Sequence, residues 1–335
     1  MSPVPSRFIR CLALPALFCL AACAVSTPAS TVPERPGLAT PPSEKPDITK
    51  TAIVTALEAA QRSRGGGEPA MWRYGDDNTT VYLFASLPMS DTGLEWRSPT
   101  INTAIESADQ LIFETDTLSA SAEAKRQRII NDKGLFRDGR LLSDVLTDPV
   151  KVRLRSAAAR LEIPYAALES FKPWLVARQM NITAAQASGL QSGSDIERAL
   201  IEEGRSKSKS ISYLGDVSDR LNALGDLPLA SQIDRLTVTT IATELTPNPQ
   251  TVLQSEWLDG DVTGLTLLAA NPLFHGGNET YERVVARQNR AYATKLKALL
   301  DEPETVFVVL SAASILGPDG VIAHLQADGI AVSRP

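Results

Sequence analysis

Two histidines, His275 and His324, are the only imidazoles in the 335 residues, so chemistry that needs nitrogen ligands or a histidine base has two positions to choose from. Acids and hydroxyls at the ends of apolar runs are better placed. Ser86 closes VYLFAS, Glu114 and Asp116 close DQLIFETD, and Ser311 and Ser314 close TVFVVLSAAS. A carboxylate at such a point can hold a divalent cation or move a proton, and a serine can be a nucleophile if a base stands beside it. Glu114 and Asp116 with carbonyl oxygens would hold magnesium or calcium weakly, lacking the nitrogen donors of a hydrolytic zinc or manganese site. The serine route is poorly supplied, because no GxSxG elbow occurs and both histidines lie outside these runs. His324 falls in mid-helix, ten residues past Ser314, while His275 lies in the glycine-flanked loop NPLFHGGN, from which it could swing over a pocket. Haem would need an axial ligand, for which only His275 or Met89 is near a plausible mouth.

The remaining reactive side chain is a cysteine. Arg7 and Arg10 precede the run CLALPALFCLAAC, too short to span a bilayer and of the form of a secretory signal. It ends on Leu20, Ala21, Ala22 and Cys23, the pattern a lipoprotein signal peptidase reads before the cysteine is acylated. Residues 1–22 are then the signal peptide, and Cys11 and Cys19 leave with it, so the mature chain has no thiol for a disulfide, a zinc site or a nucleophile. Acyl chains on Cys23, at about 0.8 kcal/mol per buried methylene, would hold the protein on a membrane without a spanning helix. Ala24, where aspartate would favour the inner membrane, points in a Gram-negative cell to the outer membrane, facing the periplasm. Residues 23–50, rich in Pro, Ser and Thr, form a tether, and residues 51–335 have the composition of a folded domain. The formal charge is -6, or -8 once Arg7 and Arg10 are removed, which argues against nucleic acid as the main ligand. The basic run RSKSKS reads as a solvated turn.

The elements that must position these residues alternate. TTVYLFAS reads as a strand, Pro99 to Ala108 as a helix capped by Ser98, and DQLIFETD as a strand covered on both faces. From about Ser119 to Ala270 the apolar spacing is helical, with segments over Leu142–Leu161, Tyr165–Leu190, Asp195–Glu203, Asp216–Leu224 and Leu229–Leu245, and one short strand, ISYLG. A long helix, Asn278 to Leu300, leads into TVFVVLSAAS, a helix through Ala327 and a last strand, GIAVS. Val81–Ser86 and Val306–Ser311 each open a strand, loop, helix, strand unit, the second ending in Gly329–Val332. The fold class is therefore α/β, with a mixed central sheet built from two pseudo-repeated units and a large helical insertion between them. In open α/β sheets ligands collect beyond the carboxyl ends of the strands, so both loops point to one place. Trp72, Trp96, Trp174 and Trp257 read as core anchors.

The run MWRYGDDNTTVYLFASLP, followed by LEWRSPTINTAIESADQLIFETD, resembles the opening of TraB/GumN proteins, relatives of the Tiki metalloproteases. Lys172, Pro173 and Trp174 resemble the family's KPW, and Gly193, Ser194 and Asp195 its GxD helix start. The run from Trp257 to Asp261 resembles its WxxGD, Gln288 and Asn289 fall on its RN-containing helix, and Ser311 to Pro318 fall on its second GxxH segment. The resemblance spans Met71 to Arg334. It implies two GxxH histidines and a glutamate around a divalent metal (Mn, Zn or Co) that activates water for peptide hydrolysis.

The motif positions depart from that pattern. The first loop reads Ala85, Ser86, Leu87, Pro88, with alanine for glycine and proline for histidine; the second reads Ser311, Ala312, Ala313, Ser314, with serine for histidine. Gln288 replaces the arginine, with Arg287 beside it, while Glu114 matches the family's glutamate. The expectation is a TraB/GumN-like pseudoenzyme on a lipid anchor, without a cofactor, binding a periplasmic peptide, polysaccharide or protein. The alternative is a metal-dependent hydrolase with a rearranged ligand set.

Overall fold

The computed structural model describes residues 48–192 and 195–335. The signal, Cys23, nearly all of the tether, and Gly193 and Ser194 lie outside the described residues. The strands are β1 (Met71–Gly75), β2 (Thr80–Ser86), β3 (Met89–Ser90), β4 (Gln110–Thr115), β5 (Gln191–Ser192), β6 (Ser210–Gly215) and β7 (Thr305–Ser311). Five of them form one sheet in the order β1-β2-β7-β4-β6, with β1 antiparallel to β2 and the other neighbours parallel. β3 and β5 pair separately.

The parallel strands are apolar along almost their whole length because they are covered on both faces. Phe84, Phe113 and Phe307 are fully buried, and Phe84 packs against Trp96, Trp257 and Phe307 with ring centroids 5.4, 6.0 and 5.7 Å apart. All four tryptophans are buried, in keeping with their reading as anchors. Two hold the backbone as well: Trp257 donates to the Ala85 carbonyl at 2.6 Å, and Trp174 to that of Lys133 at 3.1 Å.

β7 is inserted between β2 and β4, so the two pseudo-repeated loops become neighbours. Ser86 pairs with Ser311 in the parallel register, and Phe113 with Val309. The second unit differs from expectation at its end, where Gly329–Val332 forms no strand and only the next residue, Ser333, makes a bridge, to Arg73 on the outer edge of β1. Gly329 turns the chain at φ 83°, and Pro335 has no N–H to extend a ladder. Arg334 instead stacks over Trp72 at 5.2 Å.

The insertion is helical. Leu142–Leu161 divides into Leu142–Val145 and Asp148–Arg160, the second opening with Pro149 in its first turn. The long helix begins as Asn278–Tyr281, passes through a π turn, Glu282–Ala286, and continues as Arg287–Lys297. RSRGGGEP packs closely where it meets the WLDGD segment. The Asp259 carboxylate accepts the Gly65 N–H at 2.6 Å, and a Cβ on Gly65 would fall 1.9 Å from the Asp259 carbonyl oxygen. Asp261 caps the helix Val262–Ala269 and holds the Ser63 hydroxyl. The segment WLDGD therefore acts as a clamp on the chain that leads into the sheet. No helix among the described residues is long and apolar enough to cross a membrane.

Candidate functional site: a sealed strand-end centre and the cleft beside it

Glu114 is the centre of the carboxyl edge of the sheet. β4 delivers it beside the start of the second loop, where the Ser311 backbone N–H donates to Oε2 at 2.9 Å and the Ser314 hydroxyl to the same oxygen at 3.1 Å. The Ser311 and Ser314 hydroxyls are themselves 2.9 Å apart. The other oxygen, Oε1, accepts Nη2 of Arg220 at 3.0 Å, and the Glu114 side chain is 13% exposed. Both oxygens thus have charge-assisted or amide partners, which fix the orientation of this part-buried carboxylate. Asn289 fixes the loop from behind: it is fully buried, and its Nδ2 donates to the carbonyls of Ala313 at 3.1 Å and Asp319 at 3.0 Å.

The first loop joins this centre through a second acid. After Ser86 the chain enters β3, which pairs with β5, and β5 leads to the helix Asp195–Ser206. That helix carries Glu197, which accepts the Thr117 hydroxyl at 3.1 Å and lies 3.5 Å from the Ser86 hydroxyl. Burial, reinforced by the negative charge of Glu114 and opposed by the Thr117 hydrogen bond, pushes the Glu197 carboxyl up to about 7.

Of the residues singled out in the sequence, Ser86, Glu114, Ser311 and Ser314 converge. Ser86 and Ser314 are buried, so neither hydroxyl is presented to a substrate as a nucleophile. Ala85 is buried beneath Trp257, and Pro88 is exposed. Asp116 does not join Glu114. Its Oδ1 accepts the N–H groups of Leu118 and Ser119, a turn that starts the helix Ala120–Lys133, and those bonds hold it below the usual carboxylate range against the effect of burial. His275 is not on a swinging loop either. It ends the short helix Pro272–His275, its Nε2 lies 2.8 Å from the Ala269 carbonyl, and its ring packs edge-on to Tyr281. Burial, and the Arg235 charge beside it, depress it to about 4. His324 sits in the helix Val321–Ala327. Among the described residues no group of three or more His, Cys, Asp or Glu could hold a metal ion.

Sequence reading missed Glu197 and Arg220. Glu197 lies two residues beyond the GSD run, where acids at a helix start are ordinary. Arg220 is one arginine on a mixed helix, Val217–Gly225, with no motif around it.

Beyond Arg220 opens a cleft of about 690 Å³, between the end of β6, the helix Val217–Gly225 and the helix Arg287–Lys297. Arg220, Arg283, Arg287, Gln288, Tyr292 and Lys295 contribute to its walls. Gly215 leaves room for the Tyr292 hydroxyl, which a Cβ at this position would meet at 2.6 Å and displace. The π turn, which re-registers Arg283 and Val284 relative to Arg287, also lines this cleft; such insertions are frequent at functional sites.

The model of the TraB/PrgY/gumN family matches residues 70–334. No curated protein matches the chain, and no solved structure does.

Proposed function

The chain belongs to the TraB/PrgY/gumN family, and from that premise we propose that it is a non-catalytic member, an envelope lipoprotein anchored through Cys23 that binds a peptide, polysaccharide or protein partner without cleaving it. The observation that carries this reading is the engagement of both oxygens of Glu114, by the Arg220 guanidinium on one and by the Ser311 amide and Ser314 hydroxyl on the other. The donor set does not fit a hydrolytic divalent metal. Pro88 has no side-chain ligand atom, the Ser314 hydroxyl is a poor ligand for a transition metal, and a guanidinium already sits against Glu114 as its counter-charge. A cation added at Glu114 would meet Arg220 as a like charge.

The site still borders an open cleft, which supports retention of binding after loss of chemistry. Anchoring rests on the lipobox ending at Cys23; a Cys23→Ser variant is expected to lose the acyl mass and move from the membrane to the soluble fraction. Glu197, near neutrality beside Ser86, is the observation favouring the alternative, a hydrolase with a rearranged ligand set. Metal analysis of the purified protein together with a peptide-library digest separates the two. Stoichiometric Mn, Zn or Co, lost along with hydrolysis in Glu114→Ala, would overturn the binding reading; a metal-free protein that leaves the library intact is the expected result.

A further inference from the structure

Four cations and three acids line the cleft, but most of these charges are already paired. Asp216 is held by Lys125, Asp226 by Lys133, Arg283 by Glu279 and Arg220 by Glu114. Asp219 closes the capping box on the Asp216 N–H. Two cations are left without a carboxylate: Arg287, which is exposed and makes no ion pair among the described residues, and Lys295, whose ammonium donates to the Leu214 carbonyl.

Two further atoms of the lining have no partner. Arg220 gives Nη2 to Glu114 and leaves Nε unsatisfied. Gln288 gives Nε2 to the Tyr292 hydroxyl at 2.5 Å and leaves Oε1 unsatisfied. Sheltered polar groups without partners are costly, and they mark places where a ligand atom is missing. One is a cationic donor and the other a neutral acceptor. A phosphate would answer the first and leave the second unmet. An amide N–H close to a carboxylate answers both, with Arg220, Arg287 and Lys295 on the carboxylate and Gln288 Oε1 on the N–H.

We propose that this cleft recognises the free carboxylate of a peptide, with Arg287 and Lys295 supplying the charge and Gln288 the acceptor for the adjoining amide. The proposal rests on the binding reading above and adds the ligand class to it. Arg220 is then shared between Glu114 and the ligand, which ties occupancy of the cleft to the old catalytic corner.

The test is calorimetric titration of the full chain in detergent micelles with N-acetyl-trialanine, against the same peptide as its C-terminal amide, inorganic phosphate and glucuronate. The acid is expected to bind at least about tenfold more tightly than the amide. Arg287→Ala, which removes an exposed side chain without a close ion pair, is expected to remove that preference while its melting curve matches the parent. Equal affinity for acid and amide, or no binding of the acid, would overturn the proposal. Phosphate or glucuronate binding as well as the peptide acid would overturn it too, in favour of a general anion site or a uronate-bearing glycan. Cleavage of the peptide, with the acid still preferred, would uphold carboxylate recognition and overturn the non-catalytic reading.

Discussion

Arg220 touches two regions that differ in how completely their polar groups are answered. On one side Glu114 is held by three donors, an amide, a hydroxyl and the guanidinium itself. On the other side, Arg287, Lys295, Arg220 Nε and Gln288 Oε1 lack an anion or a donor. A closed hydrogen-bond set stabilises a fold, whereas an open one keeps affinity in reserve for a ligand. The corner that aligns with the family's motifs has its partners within the fold, and the groups without partners lie on the cleft side of Arg220. Variants at the two regions should therefore separate stability from binding.

The largest stability effect belongs to the closed side. Glu114→Ala leaves the Ser311 amide, the Ser314 hydroxyl and the Arg220 guanidinium without their acceptor, and is expected to cost about 2–3 kcal/mol. Such a cost would lower the melting temperature by about 4–10 °C, read by circular dichroism. A change within 1 °C would show that the set is not closed as described. Arg220→Met removes one partner of a pair whose arginine is 38% exposed, so solvent screening reduces the loss to about 1–2 kcal/mol in a urea midpoint. If the arginine is the counter-charge of Glu114, the double variant Glu114→Gln with Arg220→Met costs less than the sum of its singles.

Much of this was legible in the sequence, and the rest was not, for definite physical reasons. The parallel strands announced themselves because burial on both faces leaves almost no polar residue in VYLFAS or TVFVVLS. Their carboxyl ends pointed to Ser86 and Ser311, and the resemblance to the family's motifs pointed to Glu114 and Ser314. The insertion of β7 between β2 and β4, which brings these residues together, is a long-range pairing with no local signature. Gly329–Val332 looked like a strand because GIAVS has strand composition, but one bridge to β1 is all that its turn and the terminal proline allow. His275 looked mobile ahead of two glycines, yet Gly276 at φ 93° packs so closely that a Cβ there would stand 2.7 Å from the Arg235 backbone, which fixes the turn. Glu197 and Arg220 were hidden because each matters only through what it faces across the sheet edge.

A smaller effect lies in the pH dependence of the acid on the first loop. Glu197 titrates near 7 in the folded protein and near 4.5 when unfolded, so the folded state binds the extra proton between those values. Its contribution to stability is full below about 4.5 and is lost as the pH rises through 7. Glu256, raised to about 7 by burial and by Asp261, acts in the same direction. His275, depressed to about 4 from 6.5, acts against both, since the unfolded chain takes up its proton first as the pH falls. The net curve of the parent is therefore shallow, and only a difference between variants isolates Glu197. Glu197→Gln is expected to be more stable than the parent by about 1 kcal/mol at pH 8 and equal to it at pH 4.5. A difference that does not change with pH would mean that Glu197 is already ionised in the fold.

Arg287→Ala should have the smallest effect on folding, within about 0.5 kcal/mol, because an exposed cation without an ion pair contributes little. Its expected loss is in ligand binding alone, which makes it the counterpart of Glu114→Ala. If Arg287→Ala destabilised the protein as much as Glu114→Ala does, the cleft would be part of the same closed network and the contrast across Arg220 would fail. If Glu114→Ala left folding intact but abolished binding, the two regions would have the reverse of the roles given to them here. Separation of the two effects, stability lost at Glu114 and affinity lost at Arg287, is the outcome expected of a strand-end corner sealed from within and a neighbouring cleft still open to a ligand.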